Sequence, residues 1–192
     1  MNWKWFCRIQ AALLAAVILW GTVLESHSQN SPSPKGPVIL TIAGDISKSN
    51  RGEATEKRDA FFNYHEIKFD RAFQLDQAML DQLKQGTVKV NAPQTDGPVT
   101  LKGALLSEVL KLVGAKQGMS LRTVALDGFS TEVSPEKVAA HDWILASTQD
   151  GKPLNIGGQG PLWMVYTPSK IDVPEKEEQE WPWALFFIEV TK

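Results

Sequence analysis

Apolar residues come in short blocks along this chain, and their period changes from block to block. Residues 38–43, VILTIA, are apolar and rich in β-branched side chains, between Pro37 and a Gly44-Asp45 turn signal. They predict a buried strand. Residues 47–59 are polar and aperiodic and predict a loop. In residues 61–69, Ile67 and Phe69 alternate with Glu66 and Lys68, the period of a strand. Leu75, Ala78, Met79 and Leu83 recur at helical spacing before Gly86, so a short helix is expected over residues 73–83. A short strand is expected at 87–90. Pro93 and Pro98 mark residues 91–98 as a turn-rich loop. Leu105, Leu106, Val109, Leu110 and Val113 line one side of a second expected helix, 102–113, with Gly114 as its stop.

Residues 121–126 read as a strand, Asp127-Gly128 as a turn, and residues 129–133 as the hairpin return. Ser134-Pro135-Glu136 has the order of cap, proline and acid that opens a helix, expected over 134–140. Residues 143–146 read as a strand. Residues 150–168 open on an Asp150-Gly151 turn and carry Gly157, Gly158 and Gly160. They then switch to the apolar run Pro161-Leu162-Trp163-Met164-Val165-Tyr166. Glycines let a backbone approach closely or take positive φ. A Trp behind such a loop can offer a flat face to a planar ligand; the pattern equally suits a tight connection into a core strand. Residues 168–180 are acidic and polar, a loop. Residues 181–190, WPWALFFIEV, are largely apolar on both alternating faces and predict a strand buried on two sides. The sum is a single mixed-sheet α+β domain of short strands and short helices, without internal repeats.

Ahead of the first strand, Lys4 and Arg8 precede an apolar stretch, residues 11–24, followed by Glu25-Ser26-His27-Ser28. This is the layout of a secretory signal peptide, residues 1–28. The stretch is shorter than the roughly 20 residues of a membrane span, so an uncleaved anchor is the rival reading. Residues 29–37 read as a Ser/Pro-rich linker and 38–192 as the domain. The product is expected to be periplasmic or secreted.

Composition is that of an ordinary globular protein, 43% hydrophobic and 22% charged. The net charge of −2 carries no basic footprint for nucleic acid. Cys7, the one cysteine, lies in the leader, so the mature chain has no disulfide, thiolate ligand or cysteine nucleophile. Phosphate-loop, GxGxxG, GxSxG, HExxH and CxxC motifs are absent. His65 and His141 are far apart in sequence, too few for a usual zinc site. The acids Glu175, Glu177, Glu178 and Glu180 lack the spacing of a calcium loop.

Residues 87–190 resemble the sulfite-oxidase-fold, or oxidoreductase molybdopterin-binding, domain family, particularly its small exported members. The series that carries the resemblance starts at Gly97-Pro98-Val99-Thr100-Leu101-Lys102-Gly103 and Leu105-Leu106-Ser107-Glu108-Val109-Leu110. It continues through Val113-Gly114-Ala115, Ala125-Leu126-Asp127-Gly128-Phe129-Ser130, Trp143-Ile144-Leu145-Ala146 and Asp150-Gly151-Lys152-Pro153-Leu154. It ends with Gly160-Pro161-Leu162-Trp163-Met164-Val165-Tyr166 and Trp183 through Ile188-Glu189-Val190.

Enzymes of this family hold molybdenum by a pterin dithiolene and one cysteine thiolate, on a loop corresponding to residues 91–98. That loop has no cysteine here. Gln94 and Thr95 do not replace a soft thiolate. The resemblance therefore implies a pterin as ligand and argues against molybdenum. Trp163 is the expected stacking face, with Trp181, Trp183 and Tyr166 as further candidates beside Gly160 and Pro161. Gln94, Thr95 and Asp96 are expected at the pterin edge, and Asp127 and Phe129 on a second loop. Trp143, Trp163 and Trp183 also suit a core, and Asp96 and Asp127 precede glycines as turn signals do. Family members often read Pro-Trp-Thr-Asp-Gly at Pro93–Gly97 and Arg-Asp-Lys at Gly157–Gln159, so one aromatic and one anion anchor are missing. The resemblance implies an exported, non-catalytic pterin sensor acting through the periplasmic domain of a membrane signalling enzyme of cyclic-di-GMP metabolism. The alternatives are a molybdopterin-dependent oxidoreductase and an interaction protein with an empty slot.

Overall fold

The structure, a computed structural model, describes residues 31–192; the expected leader and residues 29–30 lie outside the described residues. Residues of the expected linker are fastened to the domain. Lys35 N and Gly36 N both donate to Asp76 Oδ2 at 2.7 Å, and Asn50 Nδ2 donates to Pro32 O at 2.7 Å. No helix among the described residues is long and apolar enough to cross a membrane.

The apolar run at residues 38–43 forms β1 (Val38–Gly44), buried through its centre as its β-branched composition predicts. It lies between β3 (Arg71–Asp76), antiparallel, and β11 (Leu185–Thr191), parallel. The six-stranded sheet is completed by β2 (Arg51–Gly52) at one edge and by β6 (Ser120–Ala125) and β7 (Ser130–Val133) at the other, in the order β2-β3-β1-β11-β6-β7. The β6–β7 hairpin turns at Asp127-Gly128 as expected, with Gly128 at φ 91°. A second sheet runs β10 (Trp163–Tyr166), β8 (Trp143–Gln149), β5 (Val99–Leu105), β4 (Gln85–Val90), with β9 (Lys152–Pro153) on β8. One apolar core joins the sheets, running from Leu40, Ile42 and Phe73 through Leu101, Leu145 and Trp163 to Ile188. This is an α+β fold of two sheets with short helices.

Several expectations need correction, among them the strand expected over 181–190, which begins only at Leu185, and the loop expected over 47–59, which contains β2. Residues 61–69 do not form a strand; Ala60–Tyr64 is a helix, α1. Its approach is shaped by Asp59, which accepts from Thr55 N at 2.7 Å and pairs with Arg51. Glu66 takes φ 55°, which breaks the extended alternation. The helix expected over 73–83 is divided. Pairing with β1 draws Phe73 and Leu75 into β3, and α2 (Gln77–Asp81) starts after Asp76, whose Oδ1 accepts from Met79 N at 2.9 Å. The expected helix 102–113 likewise begins as strand β5 and becomes α3 (Leu106–Val113) only at Leu106. Within the expected loop 168–180, Glu175–Glu178 forms a helical turn, α5. The expected short helix at Ser134 is α4 (Pro135–Ala140), and Ser134 Oγ accepts from Lys137 N.

Candidate functional site

Three loops meet at one end of the domain. The first, residues 91–98, is braced from within. Thr95 Oγ1 accepts from Ala92 N at 3.0 Å and points its proton between Ala92 O and Gly97 O, 2.8 and 2.9 Å away. Thr95 thus shapes the loop rather than facing outward. Gln94 and Asp96 are exposed, and Gly97 takes φ 89°.

The second loop, residues 155–162, winds around the Asn155 carbonyl, which accepts from Gly158 N at 3.2 Å and Gly160 N at 3.1 Å. A side chain at buried Gly160 would collide with Leu154 O, so this glycine serves backbone packing. Pro161 follows a cis peptide bond and is half-buried. Gln159 Nε2 donates to Gln94 O at 3.1 Å and joins the first two loops.

The third loop is the β6–β7 tip. Asp127 Oδ1 accepts from Phe129 N at 2.9 Å, an Asx turn that leaves Phe129 48% exposed. The segment 182–184 binds the loops together. Pro182 O accepts from Met164 N at 2.9 Å, Ala184 N donates to Gln159 O at 2.8 Å, and Ala184 O accepts from Leu126 N at 2.9 Å. Trp183 stands between these bonds and is 38% exposed.

The other aromatic candidates lie in the core. Trp163 is fully buried and donates through Nε1 to Trp181 O at 3.2 Å. Trp181 and Tyr166 are also buried, with ring centroids 5.1 Å apart, and His141 stacks on Tyr166 at 3.9 Å. Burial, with a bond to Glu177 next, pushes the Tyr166 hydroxyl up to about 12, so it stays neutral and a donor. The expectation that Trp163, Tyr166 or Trp181 offers a stacking face is corrected here: their rings fill the space between β10 and the 173–181 segment. Of the expected aromatic site residues, Trp183 and Phe129 are the exposed ones.

Sequence reasoning missed Gln159 as a site residue. Its signal was its position as the one long amide in a run of glycines, Gly157-Gly158-Gln159-Gly160. It also missed the aromatic cluster beneath the tip. His65 packs against Phe61 at 4.6 Å and Phe186 at 5.2 Å.

Among the described residues there is no group of three His, Cys, Asp or Glu placed to hold a metal. Residues 31–192 contain no cysteine, so the donor set does not fit the thiolate-held molybdenum of the resembled enzymes. A bare pterin asks less: a flat apolar face, a carboxylate for its N–C–N edge, and amide donors and acceptors at the rim. Trp183, Asp96, Gln94 and Gln159 are groups of those kinds; Gln159 bonds to Gln94 O and, through its own carbonyl, to the Ala184 N–H next to Trp183, and Asp96 lies two residues after Gln94.

No protein-family model and no curated protein match the chain. Solved structures do. The crystal structure of the sulfane dehydrogenase SoxCD from Paracoccus pantotrophus matches with a TM-score of 0.52 at 16% identity. The match covers 79% of this chain and 37% of that one. The likeness shows the fold alone: an α+β, sulfite-oxidase-like domain.

Proposed function

We propose that this protein is exported, binds a pterin at the rim formed by its three loops, and acts as a non-catalytic sensor for a membrane signalling partner. The observation that carries the reading is Trp183. It is an exposed indole on a segment whose flanking residues, Pro182 and Ala184, are hydrogen-bonded to β10, to the glycine loop and to the hairpin tip. A ring stacked on Trp183 would lie beside the glycine loop and the hairpin tip, and Gln159 links the glycine loop to the 91–98 loop. Asp96 has no hydrogen bond or ion pair among the described residues and is free to accept from a guanidine-like edge. The lack of a basic side chain in Gly157–Gly160 favours a ligand without a phosphate.

In this reading Trp183 supplies the face and Asp96 the edge contact, while Gln159 sets the spacing of the loops. Signalling follows if the partner favours the loop arrangement that the ligand also favours. The periplasmic location and the partner rest on the leader-like residues 1–28 and on the family resemblance. A rival reading, a molybdopterin-dependent oxidoreductase, is favoured by the likeness to a dehydrogenase domain and opposed by the missing thiolate.

The test is to purify residues 29–192 from the periplasm of a pterin-making host and analyse the extract by absorbance, fluorescence and mass, with metal content alongside. A stoichiometric pterin without molybdenum is expected, and its loss in Trp183→Ala with the fold intact. Molybdenum near one per chain would establish the oxidoreductase instead.

A further inference from the structure

A cavity of about 740 Å³ lies between α3, the loop that follows it, α4 and the start of β8. This is the size range of small-molecule sites. It is separate from the loop rim. None of the residues that line it belongs to the three loops or to the 182–184 segment.

The sequence builds the cavity from two faces. Leu106, Leu110 and Met119 come from α3 and its following loop, and Val138 and Trp143 from α4 and β8. Trp143 is held in place, its Nε1 donating to Lys137 O at 3.0 Å. These five side chains form an apolar wall.

The lining carries both charges: Glu108, Lys111 and Lys116 come from α3 and its loop, and Asp142 follows α4, beside His141. The ion pairs among the described residues are Arg51–Asp59, Arg122–Glu189 and Lys137–Glu180. Glu108, Lys111, Lys116 and Asp142 are in none of them. Glu108 and Lys111 are one turn apart on α3, the spacing at which opposite charges offset each other; Lys116, on the loop, and Asp142, after α4, have no such helical neighbour. A ligand that satisfies the cavity has an apolar body, a carboxylate and an ammonium group.

We propose that this cavity is a second binding site, for a short apolar peptide with free termini. Its carboxylate pairs with Lys116, its amino terminus with Asp142, and its side chains lie on the Leu110–Met119–Trp143 wall.

The probe is the dipeptide Leu-Phe, with its N-acetylated, C-amidated form as the control, titrated into residues 29–192 by calorimetry and followed by amide NMR. The free dipeptide is expected to bind at one site, roughly fivefold tighter than the capped form, the scale of two partly exposed ion pairs. Asp142→Asn should remove the preference for the free amine, and Lys116→Gln the preference for the free carboxylate, each about twofold. Ala139 is exposed on α4 and lines the cavity. Ala139→Trp should fill the space and abolish binding with an unchanged far-UV spectrum. No saturable binding at millimolar dipeptide, equal affinity for the capped form, or full binding by a folded Ala139→Trp protein would each overturn the proposal. Pterin retention at the loop rim is expected to be the same in Asp142→Asn, so the two sites fail or stand separately.

Discussion

The side-chain amide of Gln159 donates to the backbone carbonyl of Gln94 across 65 residues of sequence, at 3.1 Å. Among the described residues it is the side-chain hydrogen bond that ties the glycine loop to the 91–98 loop. Gln159→Ala removes one half-exposed hydrogen bond and should lower stability by only about 0.5–1.5 kcal/mol. If this bond sets the loop spacing, pterin affinity falls more than stability does. Chemical denaturation and fluorescence titration on the same variant separate the two effects.

The tryptophans should divide cleanly. Trp163 is fully buried, so Trp163→Ala is expected to destabilise the domain by about 3–5 kcal/mol, read as an earlier denaturation midpoint. Trp183→Ala should leave the midpoint nearly unchanged and lose the ligand. Equal ligand retention in Trp183→Ala and wild type would remove Trp183 from the site.

Glycines test backbone packing. Gly103 lies in β5 against β8, where an added Cβ would collide with Leu145 O. Gly103→Ala should cost several kcal/mol or prevent folding. Gly97 has open space around it but takes φ 89°. Gly97→Ala should cost about 1 kcal/mol through strain alone. Comparing soluble yield and melting temperature for the pair checks both.

Burial raises the Glu178 carboxyl, with the charge of Glu175 a second cause. A raised acid contributes stability below its unfolded value, about 4.3, and loses it as pH rises through the folded value. At pH 7 the ionised carboxylate is therefore a burden. Glu178→Gln should raise the melting temperature at pH 7 and match wild type near pH 4.

Asp76 shows the opposite sign. Hydrogen bonds from Gly36 N and then Met79 N hold its carboxyl below the usual range. Its contribution is present above about pH 3.9 and is lost as pH falls through the depressed folded value. Asp76→Ala should melt earlier at neutral pH, with the gap closing in acid. The same variant should loosen residues 35–36, visible as faster amide exchange there.

Much of the fold was legible where one signal stood alone. The apolar run of β1, the Asp127-Gly128 hairpin and the Ser134-Pro135 helix start all formed as their residues predict. The failures came where a strand ran straight into a helix. Phe73 and Leu75 pair with β1 while Met79 belongs to α2, and the stripe at helical spacing crosses that junction unmarked. The site was legible as a set of loops but not as faces. In residues 181–190 the alternation implies a continuous strand, yet Ala184 takes φ 51° and β11 begins only at Leu185. Trp181, at 1% exposure, and Trp183, at 38%, both precede that break and lie outside the strand. Nothing in an alanine announces a left-handed backbone.

The parallel pairing of β1 with β11, Thr41 beside Phe187 and Ile42 beside Ile188, also sets an order of events. The two strands are separated by most of the described chain, and β11 is synthesised after every other strand. Until it leaves the ribosome, β1 has only β3 beside it, and the β6–β7 hairpin has no sheet to join. Contacts this distant in sequence form slowly. The six-stranded sheet is therefore closed by the last of its strands to be made, and the growing chain exposes an open edge on β1 until β11 arrives.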